Sequence, residues 1–309
     1  MRIVVLGAGL QGTLYGVRLA SVGHDVTFVA RGERAVQLRA KGAAITDALT
    51  GRSELLRLPV IEQLEPDTVA DLCLVTVRRE QLESVLPACA AARQISRFLF
   101  MVNHANGSAR LYDALGRDRV VLGFPGAAGG VEDGVARYVE VAEQPTAVEP
   151  AARDVAATFR GAGFRVDLVR DMDAWLKRHA VFVTAICGAL YESDGDARRL
   201  AQTPDLVRAF ILAVREGWAA LDKATVAPAP LALRSIICWV PLPFAVAYWS
   251  RLLRAPQGDL YFARHARRAP HEMSALAADV RTATRDAALP RLQALFDAIE
   301  REGLQPRPR

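Results

Sequence analysis

The chain has 309 residues, of which 51% are hydrophobic and 24% charged, with a formal net charge of +5. That length predicts about two domains with sizeable cores, and nothing reads as disordered except the short tail Gln305 to Arg309. No basic run interleaved with aromatics occurs, so the mild basicity suits anionic small molecules better than nucleic acid.

In chain order, the first element is an apolar run, Ile3 to Leu6, that reads as a buried strand. It breaks into Gly7-Ala8-Gly9-Leu10-Gln11-Gly12, a G-x-G-x-x-G. A helical pattern follows, with Leu14, Val17 and Leu19 on one face, and then a second strand, Val26 to Ala30. This order of strand, glycine turn, helix and strand is the setting in which the motif binds a dinucleotide. Gly7 permits the tight turn, Gly9 lets the backbone approach a pyrophosphate, and Gly12 lets the helix pack closely on the strand. The helix N-terminus, with Ala8, Leu10 and Gln11 between the glycines, offers free N–H groups and a partial positive charge to the phosphates. The end of the second strand selects the cofactor. An acidic residue there would suit the ribose hydroxyls of NAD(H). This chain instead has Arg31, with Arg34 close by, which favours the 2′-phosphate of NADP(H).

After Arg31 a helical segment is predicted to run to Lys41-Gly42, then strands at Ala43 to Thr46 and Glu54 to Val60 joined by a turn at Thr50-Gly51-Arg52. Asp71 to Val77 is a buried strand, Gln81 to Ala92 a helix, and Phe98 to Val102 and Val120 to Phe124 further buried strands. Pro125 to Gly130 reads as a glycine-rich loop, Ala136 to Val141 as extended, Ala151 to Gly161 as a helix and Phe164 to Val169 as a last strand. Such alternation predicts an open, mostly parallel sheet with helices on both faces. From Asp171 onward the period is helical, with breaks at Ser193-Asp194-Gly195, Thr203-Pro204, Pro228 to Pro230, Pro241 to Pro243 and Ala255 to Gly258. The expected division is therefore a cofactor-binding domain over 1–170 and an all-helical substrate and catalytic domain over 171–309.

The four cysteines, Cys73, Cys89, Cys187 and Cys238, are far apart in apolar settings and form no metal-ligand spacing, so reduced thiols and no metal are expected. The first strand starts at residue 2 and leaves no room for a charged leader, which points to a cytoplasmic protein. The most apolar window, Ile236 to Trp249, is too short to span a bilayer and contains Pro241 and Pro243. It reads as a helix break with buried packing and no membrane contact, and a homodimer stays open on this apolar segment.

Two rare residue types mark the chemistry. Positive charge is carried by 36 arginines against three lysines, Lys41, Lys177 and Lys223. Lysine differs from arginine in that it can exchange a proton near neutral pH, and Lys177 follows Trp175 at the head of the first helix of the second half. The two asparagines, Asn103 and Asn106, lie in the loop after the strand ending at Val102. That is a carboxyl strand end, where α/β sheets bind ligands. An amide both donates and accepts, and Asn106-Gly107 also suits a turn or helix cap.

Taken together, these pieces resemble the ketopantoate reductase (2-dehydropantoate 2-reductase) family over nearly the whole chain. The similarity runs through RIVVLGAGLQG, VARGER, VTVRREQL, VNHANGSARLYDALG, DAWLKRHAVF and HEMSALAADV. It implies a Rossmann-type dinucleotide-binding domain followed by a 6-phosphogluconate dehydrogenase C-terminal-like helical domain, and NADPH-dependent reduction of a 2-oxo acid to a 2-hydroxy acid. It further implies that Lys177 protonates the carbonyl oxygen and that Asn103 contacts nicotinamide ribose and substrate. Glu272 would touch the cofactor and help position the lysine, while Arg78 and Gln81 would lie on the adenosine side. The chain also departs from the family. Val181 and Ala185 stand where the substrate helix normally carries asparagines, Leu260 stands near the family's serine, and His104 replaces a glycine. The substrate pocket is thus expected to be re-lined and more apolar, with Tyr191, His179 and His265 as candidate replacements. Two other readings stay open: a related two-domain dehydrogenase acting on an opine or another 2-hydroxy acid through His265 or His271, and a dinucleotide-binding sensor without turnover.

Overall fold

The structure, a computed structural model, describes residues 1–224, 231–284 and 287–304. The expected break at 228–230 and the tail from residue 305 lie outside them. The chain divides into two compact units, residues 1–102 with 108–172, and residues 103–107 with 173–309.

The first unit carries twelve strands: β1 Arg2–Leu6, β2 Asp25–Val29, β3 Ala43–Asp47, β4 Ser53–Leu56, β5 Val60–Ile61, β6 Ala70–Val75, β7 Ile95–Phe100, β8 Val120–Phe124, β9 Ala127–Glu132, β10 Val135–Glu140, β11 Thr146–Val148 and β12 Val166–Leu168. Eight of them form one sheet in the order β12-β11-β8-β7-β6-β1-β2-β5. It is parallel from β8 through β5, and only β8 and β11 pair antiparallel. The helices are α1 Leu10–Ser21, α2 Gly32–Lys41, α3 Leu82–Ala91, α4 Ala109–Leu115 and α5 Arg153–Gly161. This is the parallel, Rossmann-like α/β architecture that the alternating pattern predicts. The central strands are apolar over most of their length, as strands buried on both faces are: Ile3, Val5, Leu72, Leu74 and Leu99 are buried, and Tyr15 of α1 stacks on Phe164 at 4.2 Å between ring centres.

Two local expectations need correction. Glu54 to Val60 is not one strand: β4 joins a second sheet, β4-β3-β10-β9, while β5 pairs with β2 at the edge of the main sheet. Pro59, which lacks an N–H for a ladder, lies between them. The glycine-rich stretch after Pro125 is also not a loop. It becomes β9, antiparallel to β10, with Gly129 at φ +135°, where a Cβ would meet the Arg137 carbonyl oxygen at 2.1 Å. Glycine is there for a close strand approach rather than for a turn.

The second unit is helical: α6 Met172–Tyr191, α7 Ala197–Ala201, α8 Pro204–Lys223, α9 Leu231–Arg234, α10 Leu242–Arg254, α11 Pro256–Gly258, α12 Arg264–Arg268, α13 Pro270–Ala283 and α14 Pro290–Gly303, with π-helical turns at Ser235–Trp239 and Asp259–Ala263. The core runs along α6, α8, α13 and α14. Gly217 of α8 admits Val181 and Leu292, and Gly188 of α6 admits the Leu295 backbone, so neither glycine could carry a side chain without displacement. The apolar window 236–249 is only half buried. Ala245, Trp249 and Leu253 form the core-facing stripe of α10 at helical spacing, whereas Trp239 and Phe244 are 61% and 70% exposed. No helix among the described residues is long and apolar enough to cross a membrane.

Candidate active site

In the first unit the glycine motif spans the turn from β1 into α1. Gly7 has φ +107°, a conformation L side chains rarely adopt. A Cβ on Gly12 would lie 1.9 Å from the Gly7 carbonyl oxygen and 2.7 Å from Thr76 Oγ1, whereas nothing lies within 4 Å of one on Gly9. Two of the three glycines thus close the turn, and the third leaves space beside it. Gly9 is the N-cap of α1, no side chain caps that end, and its first turn has no acidic residue. The first N–H groups of a helix have no intrahelical partner, so this opening fits a pyrophosphate. The loop is braced from behind: Thr76 Oγ1 donates to Gly7 O at 2.6 Å, Gln11 Nε2 to Ala127 O at 2.6 Å and Arg34 Nε to Ala8 O at 2.8 Å. Arg34 also reaches Gly134 O and Thr13 Oγ1, each at 2.9 Å, so its guanidinium is part of the scaffold.

Arg31, the N-cap residue of α2, is exposed and has no ion-pair partner among the described residues. It is the arginine at the end of β2 that can still receive an anion. Ala8 is buried and Leu10 half-buried beside the loop. Arg78 and Gln81 open the short helix after β6. The Gln81 Oε1 accepts from the Arg78 backbone N–H at 3.2 Å, and Arg78 Nη1 lies 4.0 Å from Glu80 Oε1.

In the second unit the asparagine loop and the head of α6 come together. Lys177 Nζ donates to Asp173 Oδ2 at 3.3 Å, with the lysine side chain 23% exposed. A Cβ on Gly107 would be 3.3 Å from that same oxygen and 4.0 Å from Lys177 Nζ, which sets the loop backbone directly against the pair. The buried Asp279 of α13 accepts from the Ala105 N–H at 3.4 Å and holds the loop from the other side. Asn103 is 9% exposed, and its buried Oδ1 has no hydrogen-bond partner among the described residues. Buried polar atoms are normally satisfied, so this amide oxygen, like Asp173 Oδ1 in the same unit, can still accept a donor. Asn106 is exposed and, with Lys177, borders a cavity of about 910 Å³ walled mainly by alanines of α8 and of the segment after α13.

Glu272 opens α13 in the helical unit. It is buried, with Oε2 at 4.0 Å from His265 Nε2, and its charge acts on Cys187 and Tyr191. The recorded ion pair of Lys177 is with Asp173. Asp173 was not singled out from the sequence, although its spacing of four residues before Lys177 on a helix is the spacing that brings such side chains together. Val181 and Ala185 are fully in the core, packed among α6, α8 and α14, and Leu260 is buried. Among the candidate replacements, Tyr191 donates to Ala266 O at 2.8 Å, and His179 is buried with its ring stacked 4.8 Å from Trp175. Burial pushes the His179 imidazole down to about 3, and nearby His265 adds to the effect. His265 is partly exposed. Among the described residues no group of three or more His, Cys, Asp or Glu could hold a metal.

The class these features define is a two-part fold, a Rossmann-like α/β unit and a helical unit. Residues 3–152 match the family model of ketopantoate reductase PanE/ApbA. The 2-dehydropantoate 2-reductase of Listeria monocytogenes is 26% identical over 124 residues, which are 40% of this chain and 41% of the relative. That of Archaeoglobus fulgidus is 26% identical over 204 residues, 60% of this chain and 64% of the relative. The matched part is thus less than two thirds of either relative's length. Among solved structures, D-mandelate dehydrogenase with NADH and anilino(oxo)acetate has a TM-score of 0.78 at 16% identity, covering 98% of both chains. A putative ketopantoate reductase from Ralstonia solanacearum has a TM-score of 0.77 at 16% identity, covering 97% of both. At such identities the likeness establishes the fold.

Proposed function

We propose that the protein is an NADPH-dependent reductase that converts a 2-oxo acid to a 2-hydroxy acid, with Lys177 as general acid. The observation that carries the reading is the cluster at the head of α6: Lys177 paired with Asp173, the loop of Asn103 and Asn106 folded against the pair, and an open cavity beside it. A bound reduced nicotinamide supplies hydride to the carbonyl carbon. The chain's own part is to bind, orient and protonate. Gly7, Gly9 and Gly12 with the α1 N-terminus hold the phosphates, and Arg31 receives the 2′-phosphate. Lys177 Nζ stabilises the charge developing on the substrate oxygen and delivers the proton. Asp173 fixes Nζ, and Asn103 offers its unsatisfied amide oxygen to a ribose or substrate hydroxyl.

Cofactor oxidation, measured with NADPH and NADH against a panel from ketopantoate to the aryl 2-oxo acid corresponding to mandelate, tests this. Wild-type turnover is expected to prefer NADPH, and Lys177→Ala is expected to lower kcat by about 10²–10⁴-fold. Unchanged turnover in that variant sinks the mechanism. A second reading, a dehydrogenase using a histidine–carboxylate pair, has the His265–Glu272 approach in its favour. Activity that survives Lys177→Ala but is lost in His265→Ala selects it.

A further inference from the structure

The reductase reading leaves the acid group of the substrate without a holder. At Val181, Ala185 and Leu260 the chain presents buried apolar side chains, and an ionised carboxylate brought against an alanine wall needs a cation. The cavity beside Lys177 contains one. Lys223, in the last turn of α8, lines it together with Lys177. In a chain with 36 arginines and three lysines, two of the three border this one space.

Lys223 makes no hydrogen bond or ion pair among the described residues, while the acids near it are committed. Its neighbour Asp222 accepts from the buried Arg178 at 2.6 Å and lies 3.9 Å from Arg234. Glu216, two turns earlier and on the cavity wall, accepts from the Arg291 and Leu292 N–H groups at 3.0 Å each and so serves the start of α14. The threonines on the wall also point their hydroxyls inward along their helix, Thr282 to Ala278 O and Thr284 to Val280 O. Among the described residues, the uncommitted charge on this wall is therefore positive.

We infer that Lys223 is a specificity-determining residue that binds the carboxylate of the substrate, and that the substrate class is a 2-oxo acid with a bulky, apolar substituent. The inference rests on the reductase reading for the role of Lys177. Lysine suits the task because its flexible stem carries three rotatable donors to a carboxylate without a fixed fork. Small side chains such as Ala219, Ala220, Ala283 and Ala287 leave room for the substituent.

The test compares wild type, Lys223→Ala and Lys223→Arg on an active 2-oxo acid and on its uncharged methyl ester, with calorimetric binding of the 2-hydroxy acid measured in parallel. Lys223→Ala should raise KM for the acid by about 10–100-fold, the size of a charge-assisted contact, with kcat little changed. It should leave KM for the ester as in wild type, and Lys223→Arg should recover most of the loss. An unmoved KM for the acid, or acid and ester rising together, overturns the inference. If wild type turns over no 2-oxo acid, the reductase reading fails. Binding of the hydroxy acid that weakens in Lys223→Ala would then still sustain the carboxylate site, and binding that does not weaken would remove it.

Discussion

In the first unit the candidate site is made of backbone: a left-handed Gly7, a Gly12 without room for a single carbon, and the uncapped start of α1. In the second it is made of side chains on helix faces: Lys177, Asp173, Asn103 and Lys223. Backbone sites tolerate little change, because the geometry that binds the ligand is also the geometry that closes the turn. A side chain on a helix face can be exchanged while the helix stays. On the same helix as Lys177, Val181 and Ala185 are buried in the core and leave no polar group there.

The largest effect that would sharpen this contrast is expected from Gly12→Ala. Its Cβ would fall 1.9 Å from the Gly7 carbonyl oxygen, with Thr76 Oγ1 and Val5 also inside contact distance. Backbone must move, so nucleotide affinity should drop by about 100-fold or more, with overpacking costing about 1–3 kcal/mol of stability. Fluorescence titration with NADPH and thermal unfolding read the two effects. Wild-type affinity in the variant would break the assignment of the loop to the phosphates.

The intermediate effect is a pH dependence confined to the second unit. Burial holds His179 neutral in the folded chain, pushed down to about 3, against an ordinary value near 6.5 in the unfolded chain. The unfolded state therefore binds the extra proton below about pH 6.5. Stability is fully present above that pH and is lost as the pH falls toward the folded value, by about 1.4 kcal/mol per unit. Between pH 6.5 and 5 the loss should reach about 2 kcal/mol. Urea unfolding of wild type and His179→Phe across this window checks it: the variant's stability should be flatter with pH. Equal slopes would remove His179 as the cause.

Legibility in the sequence follows the same division. The parallel sheet and the glycine turn from β1 into α1 could be read because each is announced by residues close together in the chain. β9 could not: Gly129 looks like loop glycine until β10 is seen pressing against it. The grip of Asp279 on Ala105 joins residues 174 positions apart, and the commitment of Glu216 to the start of α14 spans 75. Nothing local signals either. Asp173 is the instructive miss, since its four-residue spacing from Lys177 was visible and a functional pair looks the same as an ordinary surface pair on one helix.

The smallest expected effect bears on that ambiguity. Asp173 and Lys177 are partly exposed, and a pair of this kind contributes only about 0.3–0.5 kcal/mol to helix stability. If Asp173 is merely such a pair, Asp173→Asn should shift the unfolding midpoint slightly and leave kinetics alone. If it is the positioning residue for the proton donor, the same change should lower kcat by about 3–10-fold with KM nearly constant, because only a contact tightened in the transition state is lost. Asp173→Glu, which keeps the charge but moves it by one methylene, should then lie between the two. An unchanged kcat in Asp173→Asn would return the residue to the helix surface and leave the Gly107 loop as what holds the lysine in place.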